Sequence, residues 1–140
     1  MSVLTRLLER RRPTVVAAPD AAPFVHVQAD GRVDLATVVE AAAVRCALSR
    51  LCAYCAQPQG FPLVFVGPVA ELDGGRCRRP GMHDACARLA VERYRAAGLL
   101  HLPWALQASG SFTVERPQTR GPGEQIRFRP GPLLWTERVP

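Results

Sequence analysis

Two pairs of residues have types and a spacing that could do chemistry: Cys52-x2-Cys55 and, further along the chain, His83-x2-Cys86. A C-x2-C turn lets two thiolates converge on one ion while nearby backbone amides hydrogen-bond the sulfurs. His83 and Cys86 are three apart on a predicted helix, so they share a face in its first turn. Three sulfurs and one imidazole make a closed tetrahedral set. The expected occupant is one structural zinc ion, with Zn–S about 2.3 Å and Zn–N about 2.0–2.1 Å. Five cysteines is an odd number, and without a secretion signal it argues for metal rather than a disulfide framework.

Other readings of these thiols stay open. Cysteine is common in apolar cores, and C-x2-C also occurs as a thioredoxin-type redox motif. The redox motif needs a strand before it and a helix after it, whereas here the predicted order is the reverse. Cys46 lies on the apolar face of a predicted helix and reads as a core thiol. Cys77, between Arg76 and Arg78, is either an exposed thiol or a substitute for His83 as fourth ligand. The helical pairing with Cys86 favours His83.

The elements that must position these residues follow from periodicity. Residues 1–12 form a short amphipathic helix with Val3, Leu4, Leu7 and Leu8 on one face, ended by Pro13. Phe24 to Gln28 reads as a strand and Asp30-Gly31 as a turn. Asp34 is the expected N-cap of a helix reaching about Arg50, with Leu35, Val38, Val39, Ala42, Ala43, Cys46 and Leu48 at helical spacing. Pro62 to Val66 reads as a strand, Glu71 to Gly81 as a loop or hairpin end. The second long helix opens at Met82 or His83 and closes at Gly98, its stripe made by Cys86, Leu89, Ala90, Tyr94 and Ala97. Short strands are expected at Ser111–Glu115, Gln125–Arg129 and Leu133–Glu137, separated by Pro117 to Gly123 and Pro130 to Pro132.

This predicts a single α+β domain over 1–140: a zinc-binding core over 24–100 and a C-terminal β segment, a small antiparallel sheet, over 110–138. The order of knuckle, hairpin and ligand-bearing helix resembles the treble-clef zinc finger. The run CAYCAQPQGFPLVFVGP (52–68), then RCRRPGMHDACARLA (76–90) and Gly131-Pro-Leu-Leu-Trp135, is similar to a group of small actinobacterial and actinophage proteins. That resemblance covers roughly 50–135, implies the metal site, and implies no activity. Ala56 departs from it, because such knuckles often carry Gly there.

All 18 basic residues are arginine, which with abundant Ala, Pro and Gly looks like the product of a GC-rich genome. The net charge of +6 would steer the chain towards phosphate-rich surfaces, though a coding bias raises it without selecting a partner. The opening twelve residues are neither a signal peptide nor an anchor, and no apolar run reaches the roughly 20 residues of a membrane helix. A cytoplasmic location is expected.

Enzyme signatures are missing. Four strong ligands leave no open coordination position for hydrolysis. There is no H-x-E of a zinc deaminase and no H-E-x-x-H, G-x-G-x-x-G or Walker A motif. Gly110-Ser-Phe lacks the second glycine of a nucleophile elbow. An HNH-type nuclease needs a hairpin histidine, and none lies between Cys55 and Met82. His26, between Val25 and Val27, reads as a surface-facing strand residue, and His101 as a cation at a helix end. The expected function is a non-catalytic, zinc-stabilised binding module: an adaptor, regulator or small assembly component. Its protein partner would dock on Leu4, Leu7 and Leu8. The alternative is a nucleic-acid-binding zinc finger using Arg76, Arg78 and Arg79 on the hairpin, with Arg127 and Arg129. A zinc- or thiol-dependent enzyme is the third reading.

Overall fold

The computed structural model describes residues 21–117 and 125–140. The expected N-terminal helix with Leu4, Leu7 and Leu8 lies outside the described residues, as does most of the link after Pro117.

Among the described residues there are three α-helices, one 3-10 helix and five strands. Strand β1 (Leu63–Pro68) is buried through its first five residues, as its unbroken apolar run demands. It pairs antiparallel with β2 (Trp104–Ser109), which pairs antiparallel with β5 (Leu133–Arg138), giving the order β1-β2-β5. Strands β3 (Phe112–Glu115) and β4 (Arg127–Pro130) form a separate hairpin. The C-terminal strands therefore do not make one sheet of their own, since β5 joins the sheet that carries β1.

Strand β2 had no counterpart in the expected elements, and it is the centre of the fold. All six of its residues are buried. A strand covered on both faces loses the apolar–polar alternation that would reveal it. Trp104, Leu106 and Ala108 share one face with their register partners Pro68, Val66 and Val64. The Trp104 ring there lies 5.3 Å from Tyr94 of helix α3 (Asp84–Ala96). On the other face Phe65 meets Phe112 at 6.5 Å, and Phe112 meets Phe128 at 5.8 Å. The sheet thus lies between α3 and the β3–β4 hairpin.

The first helix, α1, spans only Glu40–Ser49. Asp34 caps a separate turn instead, accepting from the Ala36 N–H at 3.0 Å and the Thr37 hydroxyl at 2.8 Å. That local alternative to helix is followed by extended chain, where Val39 N–H bonds the Val25 carbonyl. Ala42, Ala43 and Cys46 make the buried stripe, while Leu48 is exposed. Phe24–His26 is a 3-10 turn rather than a strand, because its amides are taken by the loop around Cys52: Phe24 N–H by Tyr54 O and Val25 N–H by Ala53 O.

Within the expected loop after β1 lies a five-residue helix, α2 (Val69–Asp73), started by Pro68. Cys77 then pairs with Phe128 as an isolated bridge, and Met82 pairs with Val64. The hairpin expected between the two ligand pairs is thereby reduced to β1 and a single bridge. In α3 the buried residues are Cys86, Ala87, Ala90, Val91 and Tyr94. Leu89 is half-buried and Ala97, just past the helix, is exposed. Among the described residues no helix is long and apolar enough to cross a membrane.

Candidate metal centre

The chain from Cys52 to Ala56 turns tightly. Ala56 N–H bonds the Cys52 carbonyl at 3.0 Å, and Cys52 N–H bonds the Gln57 carbonyl at 2.8 Å. The turn forces Ala56 to φ 59°, a left-handed conformation that glycine adopts freely and alanine does not. Ala53 N–H ties this knuckle to the Gly81 carbonyl at 3.1 Å. A Cβ at Gly81 would press on the Leu63 side chain, 3.0 Å away, so glycine lets the chain pass close between knuckle and β1. Two residues on, His83 is the N-cap of α3, and Cys86 lies in the first turn of that helix.

These constraints bring the ligand atoms of Cys52, Cys55, His83 and Cys86 within 4.8 Å of one another. Cys52 and Cys86 are fully buried, His83 is nearly so, and Cys55 is half-buried. The imidazole orientation is fixed from outside the cluster. His83 Nε2 lies 2.9 Å from the Pro58 carbonyl, which can only accept, so the proton sits on Nε2. Nδ1 is left with its lone pair towards the thiols, 3.4 Å from Cys55 Sγ and 3.9 Å from Cys86 Sγ. Orienting a ligand histidine through its other nitrogen is the usual outer-shell arrangement. Gly60 permits it, since a Cβ there would sit 3.0 Å from His83 Cδ2. Cys52 Sγ accepts from the Tyr54 and His83 amides, each at 3.4 Å.

Electrostatically the cluster suits a cation. Hydrogen bonds from Cys55 and Cys86, then from backbone amides, hold the Cys52 thiol well below its ordinary range against the opposing effect of burial. The Cys86 thiol is pushed far up, first by its hydrogen bonds to Cys52 and Cys55 and then by burial. Contact with Cys55 raises His83. Once one thiol ionises, the next resists, unless a cation supplies the missing charge. The donor set, the exposed lone pair and the amide-supported sulfur all fit a metal ion.

The remaining chemistry-bearing residues lie apart from the cluster. Cys46 and Cys77 are buried, and burial pushes each thiol up to about 12. Cys77 is held by backbone bonds to Phe128 and is not part of the cluster. His26 is fully buried rather than surface-facing. Its Nδ1 is 2.8 Å from the Thr37 carbonyl, so that nitrogen carries the proton and Nε2 accepts from the Tyr94 hydroxyl at 2.8 Å. His101 is exposed.

The arginines divide. Arg76 is exposed and pairs with Glu115 at 3.5 Å. Arg127 and Arg129 alternate on β4, opposite Glu115 and Thr113. Arg78 is half-buried, its N–H on the Glu71 carboxylate. Arg79 is not at a surface tip. It is 4% exposed, its guanidinium 4.8 Å from the Tyr94 ring centre and 5.0 Å from that of Trp104. No carboxylate among the described residues pairs with it. Neither this aromatic clamp nor the roles of Pro58, Gly60 and Gly81 had a local signature, because each depends on a partner distant in sequence.

No protein-family model, curated protein or solved structure matches this chain.

Proposed function

We propose that the protein is a non-catalytic binding module whose fold is stabilised by one zinc ion on Cys52, Cys55, His83 and Cys86. The observation that carries this is the convergence of three sulfurs and a pre-oriented imidazole within 4.8 Å. Such a soft, closed donor set selects zinc over magnesium or calcium and leaves no position for substrate. The centre is a treble-clef-like variant in which a single bridge, Val64 to Met82, stands in for the hairpin's second strand. The role is that of an adaptor, regulator or assembly component acting inside the cell.

Purified protein should contain about one zinc per chain by elemental analysis. Cys52→Ser and Cys86→Ser should lose it, while Cys46→Ser and Cys77→Ser keep it. Metal-free protein with five freely titrating thiols would sink the proposal, and zinc lost on Cys77→Ser but kept on His83→Ala would reassign the ligands.

A second reading, nucleic-acid binding, draws support from the β3–β4 hairpin. The antiparallel Cys77–Phe128 bridge sets Arg76 across from Arg129 and Arg78 across from Arg127, making one arginine-rich edge. Phosphate contacts there would give affinity that falls steeply with salt; docking of Leu4, Leu7 and Leu8 on a protein partner would not.

A further inference from the structure

We propose that Cys55 is a modification site through which small hydroperoxides release the metal, an inference that rests on the zinc reading above. Accessibility separates the three thiolates. Cys52 and Cys86 are sealed from solvent, and Cys55 is half-buried. Hydrogen bonding separates them again. Cys52 Sγ carries two amide N–H bonds, which draw off sulfur electron density. Among the described hydrogen bonds no backbone N–H reaches Cys55 Sγ, whose contacts are side chains of the cluster, His83 Nδ1 at 3.4 Å among them. Oxidation follows thiolate character and access; zinc would hold all three sulfurs as thiolates, and of these Cys55 alone is open to solvent.

The reaction balances within the cluster. The Cys55 thiolate attacks the O–O bond of a hydroperoxide, forming a sulfenic acid and releasing hydroxide, or an alkoxide, that is protonated by solvent. A second thiolate, from Cys52 or Cys86, both inside the 4.8 Å cluster, attacks the sulfenic sulfur and expels hydroxide, which also takes a proton. Two thiolates lose two electrons in all, the peroxide is reduced to two waters (or water and an alcohol), and one disulfide forms. Two of the four ligands are then gone, and the metal leaves. Cys46 and Cys77, both fully buried, serve as internal controls.

The test uses the full chain loaded with zinc, treated with hydrogen peroxide in the presence of a chromogenic zinc dye. Zinc should appear in step with the loss of two thiols per chain. Peptide mapping should show a disulfide in which Cys55 is one partner, with Cys46 and Cys77 unchanged. Reductant plus zinc should restore the starting state. The Cys55→His variant keeps four donors, and its zinc should leave at least about tenfold more slowly. Zinc release with Cys55 unmodified, earlier oxidation of Cys46 or Cys77, or zinc retained at peroxide levels that consume free glutathione would each overturn the proposal. If Cys55→His fails to bind zinc, the mapping of the wild-type chain decides. A chain without zinc before peroxide is added would refute the metal reading itself, and this inference with it. Zinc present but indifferent to peroxide would refute this inference alone.

Discussion

At the scale of single residues, two side chains hold conformations or charge states that their surroundings impose. Ala56 sits at φ 59°, where a Cβ crowds the backbone and glycine does not. Ala56→Gly should raise stability by roughly 0.5–1 kcal/mol, the left-handed strain relieved less the added chain entropy, read as a shifted urea midpoint with metal content unchanged. His26 is the second. Burial, outweighing its bond to Thr37, lowers its pKa from 6.5 to about 4, so the folded protein holds it neutral while the unfolded chain protonates it near 6.5. Its contribution is complete above about pH 6.5 and is lost as pH falls towards 4, the loss amounting to about 3 kcal/mol at the acid end. Urea titrations of wild type and His26→Gln across that window should show a stability difference that shrinks with acid. A difference independent of pH would mean that His26 does not titrate as described.

At the scale of elements, the guanidinium of Arg79 fastens α3 to β2 by lying against Tyr94 and Trp104 together. A planar cation stacks on two rings where an ammonium cannot. Arg79→Lys should therefore destabilise the protein by about 1–2 kcal/mol in denaturant melts despite the conserved charge, and an unchanged melt would remove the clamp from the account. This contact also shows where sequence reasoning stops. The spacing of Cys52, Cys55, His83 and Cys86 is local and chemical, and it located the cluster. The helix from His83 to Gly98 announced itself through its apolar stripe and closing glycine, and β1 through its unbroken apolar run. By contrast Arg79 stands in a run of arginines that reads as surface. Its burial depends on Tyr94 and Trp104 arriving from other elements. Strand β2 stayed hidden because Ala105, Gln107 and Ala108 are poor strand formers, made into a strand by two flanking partners. His26 looked surface-facing because its acceptor and donor, Thr37 and Tyr94, come from elsewhere in the chain.

At the scale of the whole molecule, the four residues of the cluster join the knuckle after α1 to the start of α3, and the Met82 bridge carries that junction to the sheet. On the zinc reading proposed above, an ion there would close the intervening loop, removing entropy from the unfolded chain, and its binding energy would become folding stability. A strong chelator should unfold at least residues 50–97, seen as lost helical circular dichroism and rapid cleavage near Arg76 to Arg79. Trp104, buried against Tyr94, should shift its fluorescence to the red in the same step. A chelated chain that kept its fold and lost only a catalytic activity would move the enzyme reading to first place. The strand order β1-β2-β5 has a consequence for biosynthesis. All four residues of the cluster leave the ribosome before β2, the strand partner of β1, has been made, and β5 follows β2. The nascent chain can thus close its knuckle around an ion while β1 still lacks its sheet. Until β5 arrives, the edge of β2 stays open to a neighbouring nascent chain, so translation speed through residues 110–138 sets how long each copy is prone to aggregate.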